Sequence, residues 1–401
     1  TLSRLLLSFS MYTNAKKLMS TKQTAGSLTA INGIRAISIS WVVLGHTFIF
    51  VITFSSNFNV WLPEMLQRWS FQPINNALVC VDSFFAMRLT PAYMLLLLFD
   101  VGLLRYLGDG PFWPRQGFET NQCKNNWWWN LLYLNNFLDN GNPSCFAWGW
   151  YLANDMQFFL ISPLFLLPLY HNEVLGVILC CLSVVGTWVA TGILSTHYGM
   201  PPSLFGGGGT NAFGNYYQWY YEKPFCRLGP YIVGILTGYA LFKSRCRVKI
   251  NKYLNLLTWA VATALAVTIL YGLRDPIVES PMSTQVSALY NTTHRTVWGA
   301  CVCWVIFACA TGNGGFINTL LSWRTFGPFA RMSYCIYLIH PLVMYLYYGN
   351  LREMIYLADL SGIYLFLGNL VASCMAAFVA SLLFEAPMLG LEKVAFRRGH
   401  K

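Results

Sequence analysis

The feature that most limits what this chain can fold into is a succession of unbroken apolar runs, each near the length of a bilayer. A helix needs about 20 apolar residues to cross the hydrocarbon core. Runs of that kind occupy 31–53, 148–169, 175–194, 226–242, 254–272, 296–311, 326–348 and 363–384, with a longer one at 74–107. A transmembrane barrel would show alternating segments of about ten residues instead. The sequence therefore predicts an all-α fold, a polytopic transmembrane helical bundle. Composition agrees, since 56% of the 401 residues are hydrophobic and 10% are charged. A soluble domain carries about a quarter charged residues.

The formal net charge of +11 speaks of orientation, not of a nucleic-acid partner. The excess lies in short loops such as "KSRCRVKINK" (243–252) and in the tail "FRRGHK", which is the usual cytoplasmic bias of membrane proteins. Lys16, Lys17 and Lys22 likewise place the start of the first span in the cytosol. The chain thus divides into a cytosolic segment (1–30), a membrane domain (31–390) and a basic cytosolic tail (391–401). Its opening at Thr1, with no initiator Met, reads as the start of a fragment.

The same orientation puts 273–295 in the lumen, so Asn291 of the sequon Asn291-Thr292-Thr293 is a candidate glycosylation site. Cys123 and Cys145 share a polar, aromatic-rich loop on that side, where a disulfide between them is expected. Cys180, Cys181, Cys301, Cys303 and Cys309 lie in apolar runs and serve as small hydrophobes. "NWWWNLLYLNNF" (126–137) is too polar and too short to span, and reads as an interfacial or re-entrant piece. "FGGGGTNAFGN" (205–215) reads as a flexible loop.

The run 74–107 is anomalous, being too long for one crossing and too short for two plus a turn. A single crossing there would invert every later loop and expose the basic stretches outside. Missing sequence near "FFAMRLTP" resolves the conflict, and two complete spans would need roughly forty more residues. The alternative is a genuine fused helix.

Ionisable residues inside these runs mark the candidate chemistry. Arg35 and His46 are separated by ten residues. Eleven steps of about 100° return the side chains to one helix face, with a rise of about 16 Å. Arg35 then stands at the cytosolic boundary and His46 about halfway across. Either they are a snorkelling arginine and a helix–helix hydrogen bonder, or His46 is a general base reached by a long anionic substrate whose head meets Arg35. An acyl thioester of coenzyme A has that shape. In "WGWYLANDMQFFLISPLFLL" (148–167), Asp155 reads as an orienter of a histidine or a partner for a substrate hydroxyl. Gln157 stands beside it, while Trp150 and Tyr151 suit interfacial anchors. His340 precedes Pro341, which frees a backbone carbonyl. Glu385 stands at the cytosolic end of the last span. No Cys/His set has zinc spacing, so no metal is expected. There is also no Gly-rich phosphate loop and no "GxSxG" elbow.

Taken in order, "LTAINGIRAISISWVVLGHT", "VDSFF", "RLTPAY", "WYLANDMQFF" and "SYCIYLIHPLV…FEAP" resemble the membrane acyltransferase-3 family, in its nose-resistant-to-fluoxetine-like branch. The resemblance covers nearly all of 25–395. It implies about ten transmembrane helices in the intact family, with one or two truncated here near residue 86. By resemblance His46 is the catalytic base, and Trp150, Tyr151, Leu152, Asp155, Gln157 and Phe158 fall on a family motif in which Asp replaces Glu and Tyr replaces Ser. His340 and Glu385 match its C-terminal motifs. Arg35 and Arg88 are the donor-binding arginines, Arg88 being the survivor of a set lost between "VDSFF" and "RLTPAY". The branch also carries an N-terminal lumenal cysteine-rich domain and a further helix ahead of Thr1, whose cytosolic tail "RLLLSFSMY" (4–12) would be.

The expectation is an integral-membrane acyltransferase with no bound cofactor and acyl-CoA as co-substrate. Its acceptor is a hydroxyl-bearing small molecule or lipid, its setting the plasma membrane or endoplasmic reticulum, and its role lipid or hydrophobic-compound handling. The rivals are a non-catalytic lipid or drug transporter, whose polar midplane site would look similar, and an inactive variant lacking the donor-site loop.

Overall fold

The computed structural model describes residues 6–23, 27–77, 79–80, 90–115, 117–118, 120–138, 145–204, 214–278 and 282–396. Among them there is no β-strand, and Ser55 and Ile355 form an isolated bridge. The main helices are α1 (Ala30–Val51), α2 (Thr90–Gly102), α3 (Trp150–Ile161), α4 (Glu173–His197), α5 (Leu228–Ser244), α6 (Lys252–Tyr271), α7 (Thr284–Ala310), α8 (Phe326–Gly349) and α9 (Asp359–Ala380). Side-chain caps set several starts by accepting from orphan backbone N–H groups. Asn172 accepts from Leu175 at 3.2 Å ahead of α4, and Asn251 from Tyr253 at 2.9 Å ahead of α6. Glu173 adds a negative charge at the positive end of α4.

Among the described residues, five helical stretches are long and apolar enough to cross a bilayer, or six with one bent pair counted as a span. On α4 the exposed side chains include Leu175, Ile178, Leu182, Val185, Val189 and Ile193. An aqueous protein does not present such a continuous apolar face, so lipid covers it. This is an integral membrane protein. α8 is not among the apolar stretches, yet Ser333, Cys335, His340 and Tyr348 along it are buried. A helix enclosed by other helices needs no apolar exterior.

The chain forms two compact units. The first comprises 1–58, 88–127 and 321–401, and in it α1, α8 and α9 pack on one another while α2 packs on α8. Gly33 is required at the start of α1, because a Cβ there would lie 2.3 Å from the Leu321 carbonyl oxygen. The second comprises 59–87 and 128–320, and in it α4, α5 and α7 pack together with α6 against α7. Gly299 makes the α5–α7 contact close, since its Cβ would fall 2.9 Å from Pro230 Cβ.

The run 74–107 does not open as a continuous helix. A short helix, Gln72–Asn75, ends where the Asn76 N–H bonds back to Gln72 O at 2.9 Å, and the next described helix is α2. Residues 81–89, with Asp82 and Arg88, lie outside the described residues, as do most of the 205–215 loop and the end of the basic tail. The "NWWWNLLYLNNF" stretch is helical over Thr120–Leu131 and Asn135–Leu138. Cys123 and Cys145 are both disulfide-bonded, and the other ten cysteines form no disulfide.

The glycosylation expectation for Asn291 is corrected. The expected lumenal loop becomes helix from Thr284, which places the sequon inside α7. Asn291 is 1% exposed, and its amide donates to Ser195 Oγ at 2.9 Å and to Pro201 O at 3.1 Å. The nitrogen a glycan would need is buried and already engaged.

Candidate functional site

The helices of the first unit bring His46 of α1 against His340 of α8. The rings meet edge to face, with centroids 4.9 Å apart and planes at 63°. Each ring is anchored by its own helix. His46 Nδ1 lies 3.0 Å from Val42 O, and His340 Nδ1 lies 3.0 Å from Ile336 O. A carbonyl oxygen only accepts, so Nδ1 carries the proton in both rings and Nε2 is left as the basic nitrogen. His340 is fully buried and its Nε2 has no hydrogen-bond partner, whereas His46 stays partly accessible. The Pro341 ring supplies no N–H, which releases the Tyr337 carbonyl from the helix ladder.

A polar file continues on both sides of this pair. Asn369 of α9 donates to Thr47 Oγ1 at 3.1 Å and to Tyr348 Oη at 3.2 Å, which ties the residue after His46 to the far end of α8. Toward the other end, Glu385 Oε2 accepts from Ser381 Oγ at 2.8 Å and from Cys335 Sγ at 3.0 Å. Ser381–Glu385 is wound as a π-helix, a wider turn that recurs at functional sites. Aromatic rings close the flank: Phe50 lies 5.0 Å from Tyr345, and Tyr345 stacks on Phe118 at 4.3 Å.

Arg35 lies in the second turn of α1, half-buried, and makes no hydrogen bond or ion pair among the described residues. Arg88 lies outside the described residues.

Val42 O holds the Nδ1 of His46, the nitrogen that an orienting carboxylate would otherwise engage. Asp155 belongs to the second unit, half-buried on α3 and within electrostatic reach of Tyr231. Gln157 exchanges two hydrogen bonds with the Asn136 amide, at 2.9 and 3.0 Å, and donates to Tyr133 O at 2.8 Å. That arrangement holds a turn whose Tyr133 has a left-handed backbone, φ 56°. Trp150 lies under the Arg227 guanidinium, 4.5 Å from centroid to Cζ. The sequence reading missed Thr47, Cys335, Tyr348 and Asn369. For Asn369 the available signal was the spacing of Asn369, Ser373, Ser381 and Glu385, polar residues at multiples of four along an apolar run.

The profile of a family described as an acyltransferase domain matches residues 86–386. The match opens inside the 81–89 junction and leaves Arg35 and His46 upstream of it. "Nose resistant to fluoxetine protein 6" of Caenorhabditis elegans is 29% identical over 457 residues, covering 98% of this chain and 54% of the relative. "Regulator of hypoxia-inducible factor 1" of the same organism is 26% identical over 311 residues, covering 71% of this chain and 58% of the relative. The chain spans little more than half the length of either curated relative. The first alignment is longer than the 401 residues of this chain, so that relative carries residues with no counterpart here. No solved structure matches the chain.

Proposed function

The chain belongs to the acyltransferase-3 family of membrane proteins, and on that premise we propose that it transfers an acyl group from an acyl-CoA-type donor to a hydroxyl-bearing acceptor. The observation that carries this reading is the His46–His340 pair, with both Nδ1 atoms engaged by backbone and one ring accessible. The acceptor oxygen adds to the thioester carbonyl while His46 Nε2 takes its proton. The carbon–sulfur bond then breaks, and the departing thiolate takes that proton back. His340, buried behind His46, positions the accessible ring and offers a second Nε2 to the forming imidazolium. Arg35, about 16 Å along the helix from His46, holds the anionic end of the donor. Arg88 shares that role by its place in the family motif. The acceptor is a lipid or small molecule in the plasma membrane or endoplasmic reticulum.

The test uses the full chain in membranes, with thiol release from an acyl thioester as readout. His46→Ala is expected to cut release by about 10²–10⁴-fold with unchanged protein level. Undiminished turnover in that variant would remove the proposal. Normal movement of a hydrophobic compound by His46→Ala, with no acylated product in either form, would favour a carrier.

A further inference from the structure

The connection between α5 and α6 in the second unit carries a row of cations that acyl transfer at His46 does not use. Exposure alternates along it. Arg245, Arg247 and Lys249 are exposed, while Cys246, Val248 and Ile250 between and after them are half-buried. Neighbouring cations are two residues apart, so their backbone positions lie within about 7 Å of one another. Lys252, exposed at the start of α6, continues the row. The backbone that presents them is fixed by hydrogen bonds. At the end of α5 the Cys246 N–H donates to Leu241 O at 3.0 Å and the Arg247 N–H to Ser244 O at 2.9 Å. Arg245 and Cys246 hold left-handed backbones there, φ 51° and 56°, a region that residues with a Cβ rarely occupy. Beyond the turn, Asn313 Nδ2 donates to Val248 O at 3.1 Å. The Asn313 carbonyl in turn accepts from Asn255 Nδ2 at 3.2 Å and from Trp259 Nε1 at 3.4 Å, which ties the loop to α6.

Lys243, just before the row, forms an ion pair with Glu173. Arg245, Arg247, Lys249 and Lys252 make no side-chain hydrogen bond or ion pair among the described residues, and no Asp or Glu occurs between Lys223 and Arg274. Their setting is the edge of the lipid. Phe242 ahead of them and Tyr253 and Leu254 behind are 74%, 80% and 53% exposed, so apolar side chains on both flanks hold the row at headgroup depth. Membrane orientation asks only that a loop be positive. A pinned backbone that turns every second residue outward as a cation exceeds that need, and it complements a surface of negative headgroups.

We propose that Arg245, Arg247, Lys249 and Lys252 form a binding site for anionic phospholipid, headgroup oxygens meeting the cations and acyl chains lying beside Phe242 and Leu254. Anionic lipids belong to the cytoplasmic leaflet, the side to which the charge bias assigns this loop. The site does not draw on His46, so either reading can fail without the other.

A ligand of the folded state raises Tm with its concentration, so thermal unfolding of the full chain in a neutral detergent reads the binding. The probes are dihexanoyl phosphatidylserine, dihexanoyl phosphatidylcholine and glycerophosphoserine, the anionic headgroup without its chains. Phosphatidylserine is expected to give a saturable rise in Tm that neither of the others gives. Arg245→Gln, Arg247→Gln and Lys249→Gln should each raise its Kd about fivefold, or about 1 kcal/mol per cation. The variant with all four cations changed to Gln should no longer tell phosphatidylserine from phosphatidylcholine. These side chains are exposed, so the variants should keep the Tm of the wild type without lipid. In 1 M salt, where the screening length is about 3 Å, the preference should vanish. A fourfold variant that keeps the wild-type Kd overturns the site, as does equal stabilisation by phosphatidylcholine. Equal stabilisation by glycerophosphoserine overturns the lipid as its ligand.

Discussion

Replacing His340 by Leu separates catalysis from stability, because the structure assigns the two effects opposite signs. His340 is fully buried with Nε2 unpartnered, and such a group costs about 1–3 kcal/mol. Leucine has a similar volume and removes that cost. It also removes the Nδ1 bond to Ile336 O, a contribution of about 1 kcal/mol, and the edge contact with His46, about 0.5–1 kcal/mol. The balance lies near zero or slightly in favour of the variant, a rise of no more than about 2 °C in Tm. Thiol release, by contrast, should fall about 10²-fold, with KM nearly unchanged, since the buried ring does not meet the donor. The assay pairs thermal unfolding of detergent-purified protein, followed by tryptophan fluorescence, with thiol release under saturating donor. A loss of more than about 5 °C would show that Nε2 contributes to stability. A variant with full activity would show that His46 works without its neighbour. Either result refutes the reasoning.

Other outcomes follow from the same geometry. Glu385→Gln keeps the volume but weakens a carboxylate that accepts from Ser381 and Cys335, so unfolding free energy should fall by about 1–3 kcal/mol; an unchanged melting curve would count against that network. Gly299→Leu forces side-chain atoms into Pro230, whereas Gly368→Ala meets nothing within 4 Å. The first should therefore lose about 1–3 kcal/mol and monodisperse yield on size exclusion, and the second should lose neither. Asn291→Gln should leave electrophoretic mobility unchanged before and after glycosidase, because the wild-type nitrogen is buried in α7; a mobility shift on glycosidase treatment of wild type, absent in the variant, would contradict this.

Helix and membrane character were legible because they depend on local quantities. The length and apolarity of a run decide whether it can satisfy its own backbone in lipid. Periodicity alone also placed Arg35 and His46 on one face of α1. Residue pattern across most of the chain was enough to indicate the family. Tertiary packing decided what stands opposite each polar residue. The ring against His46 comes from α8 and its tautomer from Val42, although Asp155 was as good a candidate on sequence alone. Asn291 read as loop because polar residues crowd 282–294, but enclosure by Ser195 and Pro201 satisfies its amide inside a helix. Arg245, Arg247 and Lys249 were legible as a basic loop, but the bond that pins it comes from Asn313, which only packing brings to Val248. Helix formation is settled within a few turns of chain. The partner of a buried side chain is settled by which distant helices share its space, and that depends on packing rather than on any local run.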